Sequence, residues 1–513
     1  MTALFSYLCD MRLRLTEHAP MLPVTLSLAA GIAAASWRMP PLWVSAAGVA
    51  VCTTVAAATL RSARRTATAA IILAAMFLGA TLTAIKLRTS PMTEEYAVYE
   101  IAVDDDSPDR RTARLISCRD DRGAWHRVRG RLRIYSDSTL QLSAGQRIVC
   151  RGRVRGFGGS DGYGAMMRRK GFAGRLFISE NNILQISEVR PSALLGSMHR
   201  RAVAKIGSLP LKPADMAVAQ ALGTGETSLL ERGRRAEYSR AGMAHLLALS
   251  GLHVGIVYLL INLLLSWLPL LTHGHIIRNA AAVILLWAYI FSTGMPPSAI
   301  RAALMFTMLQ TARAASADYS PLNALACAAF ISLCADAGLL FDAGFRLSYI
   351  AVAAIILCAA PICRRLHIIR ESRSKAAKVS ISAANFVIDT LVVGFVATVA
   401  TAPLVSHLFG VIPLAGIVTG PVAIVAAAAT VMLTAVWIAL PLNFAAAAFG
   451  RAIDLAAGAL NGLSEWLAAL PQAAIDIRLS STETALCYAV MTAAAIVLAS
   501  ISDNRQPQNT PFR

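Results

Sequence analysis

Four polar clusters sit inside otherwise apolar sequence, and each holds residue types that could do chemistry. The first runs Ala244-His245-Leu246-Leu247-Ala248-Leu249-Ser250-Gly251-Leu252-His253-Val254-Gly255, at the head of a long apolar stretch. On a helix turning about 100° per residue, His245, Ser250 and His253 fall within an arc of about 140°, so all three could line one interior surface. The second is Gly294-Met295-Pro296-Pro297-Ser298-Ala299-Ile300-Arg301, which places Ser298 and Arg301 just inside a helix that starts after Pro297. The third is Phe341-Asp342-Ala343-Gly344-Phe345-Arg346-Leu347-Ser348-Tyr349, and the fourth is Thr401-Ala402-Pro403-Leu404-Val405-Ser406-His407-Leu408-Phe409-Gly410.

Polar groups in hydrocarbon-like sequence are costly unless they face a cavity or one another. Arg301 suits either a structural ion pair, with Asp342 or another carboxylate, or a cation lining an anion path. Asp342 and Arg346 have i,i+4 spacing and can pair on one helix face. His245 and His253, eight residues apart with no third ligand nearby, make no metal site. Ser250 with His253 as base would give an intramembrane hydrolase, although no oriented acid accompanies them locally. His407 reads as a satisfied polar group, and Gly223-Thr224-Gly225-Glu226 as a turn rather than a phosphate loop. The residues that could face a polar interior, and that the resemblance given below implies as channel lining, are His245, Ser250, His253, Ser298, Arg301, Asp342, Arg346 and Ser348.

The elements that must position these groups follow from composition. The chain has 513 residues, 56% hydrophobic and 15% charged, with mean hydropathy +0.57. Soluble domains carry roughly 25% charged residues, so this is a polytopic α-helical membrane protein. Residues 1–89 hold three apolar runs, 21–37, 42–60 and 69–87, each near the ~20 residues that cross a bilayer. Arg12 and Arg14 before the first run, and Arg61, Arg64 and Arg65 between the second and third, place the N-terminus in the cytoplasm and the chain after residue 87 outside. Residues 192–240 read as an amphipathic helical connector at the membrane surface. Residues 241–503 hold nine further runs (242–268, 276–293, 298–313, 321–334, 344–361, 385–409, 411–440, 442–470 and 484–502), and 504–513 form a tail. Breaks are expected at Gly294–Pro297, Pro403, Pro413, Pro421 and Pro441. The basic loop 363–378 falls in the cytoplasm.

Residues 90–191 form a soluble insert. The segments 126–134 and 149–155 alternate strictly, and further short strands fit 97–103, 113–118, 174–178 and 183–189. Such a set suggests a small OB-like β-barrel. The formal net charge of +19 concentrates in part here. Arg127, Arg129, Arg131 and Arg133 project to one face of one strand, and Arg151, Arg153 and Arg155 to one face of another. Such stripes repel unless solvent or an anion screens them. A basic groove with aromatic neighbours, here Tyr135, Phe157 and Tyr163, is a usual way to hold single-stranded nucleic acid. The alternative is a solvated face that resists aggregation. The nine cysteines form no CxxC pair. Cys118 and Cys150 both fall in the insert and could form a disulfide if it lies outside the cytoplasm.

The four clusters together resemble the ComEC-type competence proteins. The carriers are His-Leu-Leu-Ala-Leu-Ser-Gly-Leu-His-Val at 245–254 after Ala241-Gly242, then Gly294…Pro297-Ser298…Arg301-Ala302…Met305. Next come Asp342 to Tyr349, and Ala402-Pro403-Leu404 with Phe409-Gly410 and Pro413. With the insert, the resemblance covers roughly residues 20–440. It departs at Thr419-Gly420-Pro421, where the last block usually has an Asn. The resemblance implies a channel that moves single-stranded DNA across the cytoplasmic (inner) membrane during natural transformation, with the insert receiving DNA outside. No HxHxDH-type cluster is present, so it implies the form without the metallo-β-lactamase-like nuclease domain, with no cofactor. It further implies as partners single-stranded DNA, membrane lipid, a separate DNA receptor, a cytoplasmic motor or strand-binding protein, and a nuclease supplied by another chain. A transporter of small anionic solutes is the other class that Arg301 would serve.

Overall fold

The computed structural model describes residues 19–38, 40–87, 96–105, 111–119, 123–136, 142, 145–157, 162–187, 194–247, 249–268, 274–315, 318–367, 375–440, 443–470 and 474–503. Arg12, Arg14, Pro441, the tail and much of the basic loop after His367 lie outside the described residues.

Three helices open the chain: α1 (Met21–Trp37), α2 (Leu42–Thr59) and α3 (Arg64–Leu87). The insert follows as β1 (Tyr96–Asp105), β2 (Thr112–Arg119), β3 (Trp125–Ser136), β4 (Arg147–Arg153), α4 (Gly162–Arg169), β5 (Phe172–Ile178) and β6 (Ile183–Ser187). Then come α5 (Leu194–Gly207), α6 (Pro213–Thr224), α7 (Arg232–Arg240), the single turn α8 (Ala244–Leu247), α9 (Gly251–Leu264), α10 (Gly274–Ser292), α11 (Pro297–Ala314) and α12 (Pro321–Ala335). The last part is α13 (Ala343–Ala354), α14 (Ala360–Leu366), α15 (Lys375–Phe409), β7 (Val411–Pro413), α16 (Ala415–Ala439), α17 (Ala446–Ala468), β8 (Ala474–Asp476) and α18 (Ser481–Asp503).

Six of the described helices are long and apolar enough to cross a membrane: α2, α3, α10, the α13–α14 rod, α15 and α16, while α1, α9 and α12 are shorter apolar helices. A polytopic membrane protein fits both composition and structure. Pro403 and Pro421 do not break their helices, which run through them as α15 and α16. Pro361 is accommodated differently. A wider π turn at Ile355–Ala359 precedes it, which absorbs the hydrogen bond that proline cannot make. The turn at Gly294–Met295 is real, with both residues left-handed at φ 73° and 58°.

The apolar run at 242–268 is two helices, α8 and α9, separated at 249–250. The 192–240 segment is helical, but its central helix α6 is buried from Ala217 to Thr224 rather than lying on a surface. Its Ala and Leu side chains are part of the largest apolar core, with α9, α10, α16 and α17.

All six strands expected in the insert are present, in one mixed sheet ordered β5-β3-β2-β1-β4-β6. Neighbours are antiparallel except β3 and β5, which are parallel. Alternation decides the faces: Ile101, Leu132, Ile148 and Ile178 are fully buried in the core, each stabilising by roughly 1.5–3 kcal/mol. The sheet curls until Arg155, just past β4, bridges Arg175 of β5. That single bridge is no ladder, and no closed barrel forms among the described residues.

Strand order also corrects the disulfide. Cys118 and Cys150 both stand opposite Tyr99, one on each side of β1. Two strand spacings separate them by roughly 10 Å, beyond the Cα–Cα reach of a disulfide. They are not bonded to each other.

Candidate functional site

The insert is seated on the helical bundle by its own charges. Lys170, after α4, donates to Asp342 Oδ2 at 2.6 Å. Asp342 Oδ1 meanwhile accepts the Phe345 amide N–H at 3.1 Å, so the same carboxylate caps α13. This overturns the i,i+4 pair expected with Arg346: at the N-cap, the Asp342 side chain folds onto its own first turn and reaches outward to the insert. Burial raises the Asp342 pKa, but Lys170 and the Phe345 and Gly344 amides outweigh it and hold the carboxyl below its ordinary value. Lys86 at the end of α3 pairs with Asp336 beside this joint. The electrostatic neighbour of Arg346 is the Tyr488 phenol of α18.

Six residues along α13 from Asp342, about 9 Å at 1.5 Å per residue, Ser348 accepts a hydrogen bond from Arg301. Arg301 is 3% exposed. Its guanidinium carbon lies 5.5 Å from the centre of the Tyr349 ring, and a Cβ built on Gly251 would come within 3.2 Å of its Nη2. One cation thus touches α9, α11 and α13, and draws together the first three sequence clusters. Of the two readings of Arg301, the ion pair with Asp342 is not made, and among the described residues no carboxylate pairs with Arg301.

The break before α9 is held by the same clusters. Ser298 donates to the Leu249 carbonyl, which the interrupted helix leaves unpaired. Ser250 is the N-cap of α9, and its backbone N–H donates to His253 Nδ1 at 3.1 Å. His253 is fully buried, and among the described residues its Nε2 has no hydrogen-bond partner. Nδ1 accepts the Ser250 amide N–H, so the neutral imidazole carries its proton on Nε2; neither nitrogen is free to take the Ser250 hydroxyl proton, and the hydrolase arrangement loses its base. His245 is exposed and bonds the Gly242 carbonyl at 2.9 Å. The fourth cluster lies apart from Arg301: Ser406 donates to Ile477 O at 2.5 Å and His407 to Leu479 O at 2.9 Å. His407 is a satisfied polar group, as expected.

Behind the Gly294 turn, His199 of α5 bonds the Ser292 carbonyl at 2.9 Å and faces Glu226 at 3.6 Å. His199, together with the Ser228 amide, holds the Glu226 carboxyl down to about 2.

On the insert, the two arginine stripes converge only in part. Arg133 stands opposite Arg175 across the parallel pair, and Arg155 opposite Arg175 on its other side. Directly opposed residues share a face, so Arg133, Arg175 and Arg155 form a row of like charges. Arg131 stands opposite Arg114 in the same way, with its guanidinium 5.0 Å over the Phe172 ring. Tyr135 and Phe177 face each other one step along, 43% and 57% exposed. Tyr163 hydrogen-bonds Tyr135 and feels Arg133 and Arg175. Phe157 is buried against Met167 and Phe172 and offers no stacking surface. Arg127 and Arg151 do not join the row: Arg127 stands opposite Ser117 and Arg151 opposite Val98, with β2 and β1 between their strands. Arg129 and Arg153 are exposed beside them.

Sequence reasoning missed Arg175 and Phe177, although Gly174-Arg175-Leu176-Phe177-Ile178 carries the same alternation. It also missed Lys170 and the Tyr349 ring, which only the tertiary fold brings to Asp342 and Arg301.

A family model described as "Competence protein" matches residues 222–502, more than half of the chain and all four clusters. The chain belongs to the competence protein family. It is similar to ComE operon protein 3 of Bacillus subtilis (strain 168), 31% identical over 169 residues, or 31% of this chain and 20% of that protein. The similarity therefore spans only a fifth of that relative's length. No solved structure matches. The insert lies outside the matched range, whereas Arg301 and the broken helix lie inside it.

Proposed function

We propose that this competence-family protein conducts single-stranded DNA across the cytoplasmic membrane during natural transformation. The insert, on the extracytoplasmic side, receives the strand, and the Arg301 region takes it into the bundle. The observation that carries this reading is the row Arg133–Arg175–Arg155 beside exposed Tyr135 and Phe177. A phosphate backbone with stackable bases fits such a basic, aromatic face. The strand order with its one parallel pair and the Arg155–Arg175 bridge support an OB-like fold for the insert, left open along that edge. A receptor, a motor or strand-binding protein and a nuclease would act from other chains. A small-anion transporter is favoured by Arg301 alone, and liposome flux of inorganic anions separates it.

The test is binding of a labelled oligo-dT to the full-length protein in nanodiscs, followed by anisotropy over a salt series. With four or more phosphates neutralised, log K should fall against log salt with a slope of about −3. Charge reversal, Arg133→Glu with Arg175→Glu, should flatten that slope. Binding that is absent, or indifferent to salt and to these substitutions, removes the receiver role.

A further inference from the structure

Where α4 meets the ends of α1 and α3, a cavity of about 650 Å³ opens that the DNA path does not use. Its walls are apolar at Trp37, Leu87 and Phe172, and cationic at Arg168 and Arg169. Among the described lining residues there is no carboxylate. Arg168 is fixed by donating to the Phe157 carbonyl. Arg169 lies 5.8 Å from the Trp37 ring centre and 5.6 Å from that of Phe341. Among the described residues these rings are its neighbours, so its N–H fork remains open to an acceptor from outside.

The position of the cavity identifies the acceptor. Trp37 is 81% exposed at the end of an apolar helix, where no protein covers it. An indole in that place belongs at a membrane–water interface. Leu87 ends α3, a helix long and apolar enough to cross a membrane, and Ile85 beside it is 55% exposed. The Arg169 guanidinium at headgroup level, above apolar helix sides, matches a phosphodiester monoanion with acyl chains beneath it. We propose that this cavity seats the headgroup of an anionic phospholipid, with Arg169 on the phosphate and the chains along α1 and α3. The lipid then becomes a third component of the joint between insert and bundle, adjoining Lys170–Asp342. A phosphate of DNA would have the same chemistry, but the strand would have to enter between two membrane-helix ends, past Trp37.

The experiment uses the full-length protein in nanodiscs of equal phosphatidylglycerol and phosphatidylcholine, released into mild detergent for native mass spectrometry. Wild type should retain phosphatidylglycerol over phosphatidylcholine, and Arg169→Gln should retain roughly tenfold less of it, the effect of removing one charge-assisted hydrogen bond. Arg169→Lys should fall between. In parallel, the thermal midpoint is followed with short-chain phosphatidylglycerol, inorganic phosphate or oligo-dT added. A rise with the lipid alone, dependent on Arg169, supports the proposal. A rise with inorganic phosphate alone makes the site one for a free anion, and an Arg169-dependent rise with oligo-dT makes it part of the DNA path; either overturns the lipid assignment. Equal retention by wild type and Arg169→Gln, or of both lipids, also overturns it. Should Arg169→Gln fail to fold, the wild-type lipid preference and the Arg169→Lys variant still decide.

Discussion

Lys170 and Asp342 are 172 residues apart in sequence, and the structure makes them the joint between insert and bundle. Their pair is partly shielded, with side chains 22% and 31% exposed, so it should be worth more than a surface pair and less than a buried one, about 1–2 kcal/mol. Lys170→Ala should cost about that amount. Asp342→Asn, which keeps an oxygen to cap α13, should cost about the same, and the double variant little more than either, because both remove one interaction. Asp342→Ala should cost about 1 kcal/mol further, because the cap goes with it. The assay is the thermal midpoint of the full-length protein in detergent, with transformation frequency as a second reading. The pH sign is fixed by the depressed Asp342 pKa. Stabilisation is full above the ordinary value of 3.8 and is lost as pH falls below it toward the lower folded value. The gap between wild type and Lys170→Ala should therefore be present at pH 7 and shrink as the pH drops below 3.8. Strict additivity of the two single variants, or a gap unchanged through that acid range, would refute the pairing.

Gly242 has φ 74°, and a Cβ there would lie 3.0 Å from Gly416 N; Gly242→Ala should cost about 2–4 kcal/mol, seen as a lower midpoint and poor yield. Cys118 and Cys150 should remain unlinked to each other, so non-reducing gels and peptide mapping should show no 118–150 cross-link, and Cys118→Ser should leave the midpoint within about 0.5 kcal/mol of wild type. Arg301→Met should match or exceed wild-type stability while abolishing DNA uptake, with Arg301→Lys intermediate in uptake. A destabilisation of several kcal/mol in Arg301→Met would make Arg301 a structural strut.

Much of the fold is legible because it is periodic. Alternation in Arg131-Leu132-Arg133-Ile134 fixes which side chains face out, whichever strand lies alongside. It does not say which strand that is, so the parallel placement of β5, which brings Arg175 between Arg133 and Arg155, stays hidden. The same gap explains the cysteines: both fall in alternating strands, but only strand order sets β1 between them. In the membrane half, hydropathy marks the runs yet is blind to a break that keeps the stretch apolar. Leu249-Ser250 interrupts 242–268 because Ser250 can cap and Ser298 can satisfy the stranded carbonyl, and Ser298 arrives only through tertiary structure. Pro403 and Pro421 err the other way, as prolines that the surrounding bundle tolerates within helices.

Arg301 links these readings through its energetics. A guanidinium taken almost wholly out of water costs several kcal/mol even after relaxation. One hydroxyl and one aromatic face offset part of that, since the Ser348 bond and the Tyr349 ring supply no countercharge. A residue serving stability alone would do better as an apolar side chain of similar length. The cation is instead held ready by three helices, with Gly251 leaving it room and α13 joining it to the carboxylate that seats the insert. Such a group is at its most stable with an anion beside it, and that is the property the proposed DNA path would draw on.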